Sequence, residues 1–142
     1  MGPESGLTWE GIESGLDRLS YPEMSHSVQA GSLYLGVSGS NRQEKTTEWY
    51  AVIFSNVQAF WAIEDAHYAA LGGEVKTGCA LNKTKSSTAL DRFGAIQTAE
   101  PLQHYALLGG FMQYEVLSPY EPTIVRYDNE AAAVNAAQEV LK

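Results

Sequence analysis

Residues 48–54 read EWYAVIF, and from Trp49 onward this stretch is apolar without a break. A short unbroken apolar run is typical of a strand that is buried on both faces. The stretch before it, residues 38–47 (SGSNRQEKTT), is polar and rich in turn-forming residues, which predicts an exposed loop. On the other side of that loop, the apolar residues spaced through positions 27–38 predict a second strand. These two strands are the start of the predicted sheet.

The rest of the chain is divided by proline, paired glycines and helical periodicity. Further strands are predicted over residues 74–81, 111–117 and 123–127. Two alanine- and leucine-rich segments end before glycine pairs, which is typical of a helix that stops in a left-handed conformation. Asn129 precedes another alanine-rich segment and is a good N-cap. Helices are therefore predicted over residues 8–19, 57–71, 88–97, 101–108 and 129–141.

These elements predict an α+β fold. Its antiparallel sheet has about five strands, with helices packed on one face, including both the N- and the C-terminal helix. A parallel sheet is disfavoured because several predicted connections are too short for a crossover. The length of 142 residues suits one globular domain over residues 1–142.

The formal net charge is −8, and the acidic excess lies toward the two ends of the chain. This balance repels phosphate groups, so we expect neither nucleic-acid nor anionic-membrane binding. A basic protein partner would suit the charge, although a moderate negative charge can also serve only to keep a small protein in solution. The first residues, MGPES, lack the pattern of a signal peptide, and we expect a cytoplasmic protein.

Metal and cofactor motifs are missing from the sequence. The single cysteine, Cys79, excludes a cysteine-based zinc cage, and it suits a small buried hydrophobic position better than a nucleophile. No phosphate-binding loop and no complete nucleophile elbow occurs. We therefore expect no metal and no cofactor.

One short segment occurs twice: residues 67–73 read HYAALGG and residues 104–110 read HYALLGG. A shared way of ending a helix explains the echo better than an ancestral repeat, since nothing outside it matches. The histidines could shuttle protons in an aromatic pocket. The alternative, which helical spacing favours, is a histidine on an apolar face bonded to a backbone carbonyl. The pocket candidates are His67, Tyr68, His104, Tyr105 and Trp61.

Tyrosines and acids alternate near the C-terminal end of the chain. Such a mixture is typical of a surface that receives a basic partner, with aromatic anchors and charges that speed association. The interaction candidates are Tyr114, Glu115, Tyr120, Glu121, Tyr127 and Asp128.

Two functional hypotheses follow. The first is a non-catalytic, acidic protein-interaction module, for example an inhibitor or immunity-type protein that binds a basic partner. The alternative is a small-ligand-binding protein or a small enzyme with an aromatic pocket that uses His67 or His104. The sequence leaves the partner, the ligand and the oligomeric state open.

Overall fold

The computed structural model describes residues 9–64, 77–93 and 101–140. In these ranges no helix has both the length and the apolarity that a membrane-spanning segment requires. The described chain begins with β1 (Glu10–Ile12) and a 3-10 helix (Gly15–Arg18). It continues through β2 (Leu19–Gln29), β3 (Ser32–Asn41), β4 (Thr47–Phe54), β5 (Ala59–Glu64), β6 (Leu81–Thr84), α1 (Thr88–Phe93), β7 (Gln103–Leu108), β8 (Met112–Ser118), β9 (Thr123–Tyr127) and α2 (Glu130–Val140).

The strands form two antiparallel sheets. The strand order is β1-β6-β7-β8-β5 in the five-stranded sheet and β2-β3-β4-β9 in the four-stranded sheet. One face of each sheet contributes to a common hydrophobic core, as in other sandwiches of two sheets. Helix α2 contacts all four strands of the four-stranded sheet, and α1 contacts β7.

The core is built from alternate residues of the central strands. In the β3–β4 register, Leu35 lies opposite Val52 and Val37 lies opposite Tyr50, and all four are buried. Between the sheets, the rings of Phe54 and Tyr105 meet edge to face, with centroids 5.3 Å apart. The opposite face of the five-stranded sheet is also covered, because Asn82, Thr84, His104 and Gln113 on that face are buried.

The predicted α+β fold is wrong, because the described chain is mostly β in two sheets. In place of the predicted N-terminal helix it has β1, the 3-10 helix and the first residue of β2, and residues 103–108 form β7. Residues 59–64 of the predicted helix 57–71 are β5, and the part from residue 65 onward lies outside the described residues. Residues 77–80 of the predicted strand 74–81 are not in a strand, and β6 begins at its last residue, Leu81.

Close packing accounts for the two glycines of the N-terminal segment. A side chain on Gly11 would come within 2.6 Å of the Cys79 sulfur, and one on Gly15 would come within 2.6 Å of the Tyr50 hydroxyl. Both glycines are therefore needed where the chain crosses its neighbours. These contacts are with distant residues, so the periodicity of residues 8–19 does not reveal them.

Other predicted elements are confirmed. The strand at 48–54 is β4 and is buried along most of its length, and the strands at 111–117 and 123–127 correspond to β8 and β9. The C-terminal helix is α2, and the side chain of Asn129 caps it by accepting the Ala132 N–H at 2.9 Å.

The predicted strand 27–38 is two strands in the structure. A turn at Ala30 and Gly31 divides it into the end of β2 and most of β3.

The second glycine pair does not end a helix. Gly109 and Gly110 join β7 to β8, and neither has the positive φ that a left-handed stop requires. Gly110 is needed for another reason, since a Cβ there would lie 2.8 Å from the Tyr21 backbone. The first pair, Gly72 and Gly73, lies outside the described residues.

Candidate functional site

His104 is the centre of a hydrogen-bonded chain on the covered outer face of the five-stranded sheet. Its Nε2 lies 2.6 Å from Oε1 of Glu115, and its Nδ1 lies 2.8 Å from Oγ of Ser87. The His104 side chain is 5% exposed and that of Glu115 is 12% exposed. Glu115 and Ser87, which are 11 and 17 residues from His104 in sequence, therefore form with it a line of serine, histidine and carboxylate.

Two strands and one short helix position these groups. His104 is on β7 and Glu115 is on β8, and the β7–β8 pairing places Glu115 opposite Ala106, one diagonal step from His104. Ser87 immediately precedes α1, and its Oγ also accepts the Leu90 N–H at 3.1 Å. Ser87 thus caps α1 with the same oxygen that meets the histidine.

The hydrogen-bond partners assign the hydrogens along the line. A carboxylate only accepts, so Nε2 of His104 donates to Glu115. In a neutral imidazole the other nitrogen accepts, so Nδ1 of His104 accepts the hydroxyl hydrogen of Ser87. The lone pair that Ser87 gives to the Leu90 N–H is compatible with this direction. Both ring nitrogens are occupied, so the histidine can act on a ligand only through Ser87 or Glu115.

Two tryptophans flank the imidazole. The Trp9 ring centroid is 5.0 Å and the Trp61 ring centroid 5.5 Å from that of His104. Trp61 lies directly opposite Glu115 in the β5–β8 register, and both tryptophans are half-buried. Both aromatic rings pack against the imidazole and provide apolar surface beside it.

The predicted pocket residues have different positions in the structure. His104 and Trp61 meet on the outer face of the five-stranded sheet. Tyr105 points the other way, into the core, where burial raises the pKa of its hydroxyl to about 12. His67 and Tyr68 lie outside the described residues.

The predicted interaction residues near β8 do not share one surface. Tyr114 is buried in the core, with its hydroxyl 2.7 Å from Nδ1 of His26. Glu115 faces the opposite side of the strand and meets His104. Tyr120 is 43% exposed, and Glu121 pairs with Nζ of Lys83 at 2.8 Å.

The remaining two interaction candidates, Tyr127 and Asp128, lie at the end of β9 and directly after it. Tyr127 is half-buried on the outer face of the four-stranded sheet, where burial and the neighbouring Tyr127 hydroxyl raise the pKa of Tyr34. Asp128 is exposed beyond the strand. The six candidates are thus divided among the core, both sheets and two loops.

A second polar cluster surrounds Glu48, whose side chain is 2% exposed. Its carboxylate accepts the Tyr50 hydroxyl at 2.5 Å and the Asn41 amide at 2.8 Å. Arg18 and Arg126 approach the same carboxylate at 3.4 and 3.5 Å. The cluster connects the 3-10 helix to β3, β4 and β9 at one end of these strands, and its role is structural.

These contacts favour the charged form of Glu48. The hydrogen bonds from Tyr50 and Asn41, followed by the two arginines, hold the pKa of this carboxyl below its ordinary value of 4.5. A carboxyl with a lowered folded-state pKa stabilises the fold above its unfolded-state pKa. That stabilisation is lost as the pH falls through the folded-state value.

Replacing Glu48 by glutamine is expected to lower the free energy of unfolding at pH 7 by about 1–3 kcal/mol, because buried donors lose their charged acceptor. Below about pH 4.5, the wild type should lose stability with falling pH more steeply than Glu48→Gln. Denaturant unfolding between pH 7 and pH 3 measures both effects. The matched control is Glu121→Gln, which should change stability by less than about 1 kcal/mol, since Glu121 is 52% exposed. Identical acid sensitivity in wild type and Glu48→Gln would contradict the assigned role.

The described ranges contain no recognisable metal site. There, no group of three or more histidine, cysteine, aspartate or glutamate side chains comes together in a way that could hold a metal ion. Cys79 is half-buried, and burial, with help from Asp17, raises the pKa of its thiol. It is therefore a poor thiolate nucleophile.

Comparison with known proteins finds no match to a protein-family model, to a curated protein or to a solved structure. The functional argument therefore depends on the geometry of the described residues.

Two residues of the site, Ser87 and Trp9, are not among the candidates that the sequence predicts. Ser87 carries one local signal, since it directly precedes a predicted helix and is a suitable N-cap. Its distance from His104 depends on the pairing of β6 with β7, which places Thr84 opposite His104. Trp9 was assigned to a helix, and its contact with the imidazole follows only from β1 pairing with β6.

Proposed function

We propose that the protein is a small enzyme of the acyl-transfer or hydrolase type, with Ser87 as nucleophile. The observation that carries the proposal is the Ser87, His104 and Glu115 line, with its 2.8 and 2.6 Å contacts, held between Trp9 and Trp61. A nucleophile that is bonded to a base, with that base oriented by a third group, is the recurrent pattern of nucleophilic catalysis. Here the hydroxyl of Ser87 contacts Nδ1 of His104, and the carboxylate of Glu115 contacts Nε2.

Each residue has one role in the reaction. His104 Nδ1 takes the hydroxyl proton as Ser87 Oγ attacks the acyl carbon of an ester, and Glu115 stabilises the positive imidazolium through Nε2. The same proton then passes from Nδ1 to the leaving alkoxide, and an acyl group remains on Ser87. Water repeats the sequence, releasing the carboxylic acid and restoring the serine. The tryptophans favour a substrate with a small apolar or aromatic group.

The proposal competes with a purely structural role for Ser87 as the cap of α1. A fluorophosphonate probe separates the two, because it forms a covalent bond to an activated serine oxygen with loss of fluoride. We expect one adduct on the folded protein, located on Ser87 by peptide mass spectrometry, and none on the urea-unfolded protein. Asparagine is as good an N-cap as serine. Ser87→Asn should therefore keep the stability of the protein while abolishing labelling.

Ser86→Ala is the matched control, since Ser86 is an exposed neighbour that bonds Thr84 through its backbone. This variant should be labelled at the wild-type rate. If the folded wild type forms no adduct, or if Ser87→Asn is labelled equally, Ser87 is a helix cap and the proposal fails. The interaction hypothesis stays a prediction, to be tested by capture of a basic partner.

A further inference from the structure

A cleft of about 730 Å³ opens at the opposite end of β7 from His104. Its walls come from the 3-10 helix, the start of β2, residues 78–80 and the β7–β8 turn. Leu108 supplies apolar surface, whereas Leu16 and Leu19 behind it are each only 2% exposed. Tyr21 and Arg42 lie on the same lining. Small-ligand sites have volumes of about 300–1,000 Å³, so the cleft is large enough for one. It shares no residue with the Ser87 and His104 line.

Tyr21 has a backbone conformation that needs an explanation. Its φ is 46°, although it is a bulky residue directly before Pro22, in a position where such residues favour extended conformations. The other non-glycine residues with positive φ in the described ranges lie in loops between strands, namely Ala30, Lys45 and Asn56. Tyr21 instead lies within β2, at a break in the register with β3 between Ser20 and Glu23. Bulges of this kind redirect side chains and are common beside functional sites.

The β7–β8 turn fixes this conformation. The N–H of Gly110 donates to the Pro22 carbonyl at 2.9 Å, and Gly110 is close enough that a Cβ would lie 2.8 Å from the Tyr21 backbone. The result is a tyrosine side chain that is 76% exposed, and Phe111, which follows Gly110, is 65% exposed. Covering such a ring is favourable, so the strained backbone at Tyr21 leaves in water a surface that suits an aromatic ligand.

The charges on the lining indicate which ligand fits. Both oxygens of Asp17 already accept backbone N–H groups, from Ser14 at 3.1 Å and from Ala80 at 2.8 Å. Arg18 and Arg126 are paired with Glu48, whereas the exposed Arg42 has no carboxylate partner among the described residues. The lining of the cleft thus combines an arginine that has no carboxylate partner among the described residues with an exposed tyrosine.

We propose that this cleft binds a small aromatic carboxylate. The guanidinium of Arg42 holds the ligand's carboxylate, in the two-point geometry that arginine forms with such groups. The ring of the ligand packs on Tyr21 and beside Leu108. The strained backbone at Tyr21 places the tyrosine for this contact.

The test is a titration of the full chain with indole-3-acetate, followed by two-dimensional NMR. We expect saturable shifts with a Kd at or below about 1 mM. The uncharged indole-3-acetamide should bind roughly tenfold more weakly, because it lacks the charge-assisted hydrogen bonds. Arg42→Gln should remove this difference between the two ligands, while the matched control Arg92→Gln, on α1, should retain it.

Tyr21→Gly separates binding from folding. Glycine adopts positive φ without strain, so thermal stability should be unchanged or higher, while both ligands bind several-fold more weakly. Ser87→Asn should bind indole-3-acetate like the wild type, which makes the result independent of the proposed catalytic role. The proposal is overturned if no saturable shift occurs up to 10 mM ligand, roughly −2.7 kcal/mol. Wild-type affinity in Arg42→Gln or in Tyr21→Gly would overturn it equally.

Discussion

Replacing Phe54 by alanine is expected to lower the free energy of unfolding by about 3–5 kcal/mol. Phe54 is 0% exposed at the end of β4, and its ring meets Tyr105 of the opposite sheet at 5.3 Å between centroids. Truncation removes buried apolar surface and leaves a cavity between two sheets that cannot fully collapse onto it. Denaturant unfolding of wild type and variant, followed by circular dichroism, measures the loss.

Two control variants define what this result means. Phe111→Ala removes a phenylalanine that is 65% exposed and should change stability by no more than about 0.5 kcal/mol. Tyr105→Phe removes a buried hydroxyl with no hydrogen-bond partner in the described structure, so stability should be unchanged or higher. A loss below about 1 kcal/mol for Phe54→Ala would contradict the two-sheet core, since a site in such a core costs several times more.

Replacing His104 by alanine is expected to slow fluorophosphonate labelling of Ser87 by about 10²–10⁴-fold, the usual contribution of a general base. This prediction depends on the proposed function. Glu115→Gln should slow labelling as well, because glutamine lacks the charge that stabilises the imidazolium at Nε2. The measurement is the rate of adduct formation, with thermal melts to show that each variant is folded.

The matched control is His26→Asn, which removes another described histidine, one that contacts Tyr114 rather than Ser87. It should be labelled at the wild-type rate. Added imidazole should partly restore labelling in His104→Ala, because a free base can occupy the vacated space, and a merely structural histidine would show no such rescue. Undiminished labelling in folded His104→Ala would remove the histidine from the mechanism.

The sequence predicts elements well where one periodicity dominates. The run in β4 and the alanine-rich, capped α2 belong to this group, because a buried central strand and an amphipathic helix differ strongly in composition. It fails at β5 and β7, whose sequences are AFWAIE and QHYALL. Both faces of β7 are buried, so its period of two is hidden, and short apolar runs of this kind fit a helix equally well.

The candidate site was only partly predictable for the same reason. His104 and Trp61 were recognised as candidates from their residue types, and Glu115 was identified for a different role. Their meeting depends on the β7–β8 and β5–β8 registers, which set which side chains share a face. If residues 103–108 are predicted as a helix, nothing in the sequence places Glu115 near His104. The same holds for Ser87, which precedes α1.

The pairing of β1 with β6 has a consequence for how the chain folds. β1 begins at Glu10 and its partner begins at Leu81, whereas β2, β3 and β4 follow one another through short turns. Pairings between distant segments form slowly because the intervening chain must first be closed into a loop. During synthesis from the N-terminus, the β2–β3–β4 meander can therefore assemble early. β1 cannot pair until β6 is synthesised, and the free side of β4 cannot pair until β9 is synthesised. We expect the nascent chain to expose unpaired strand edges until residue 127 has emerged, and so to be most prone to aggregation during that interval.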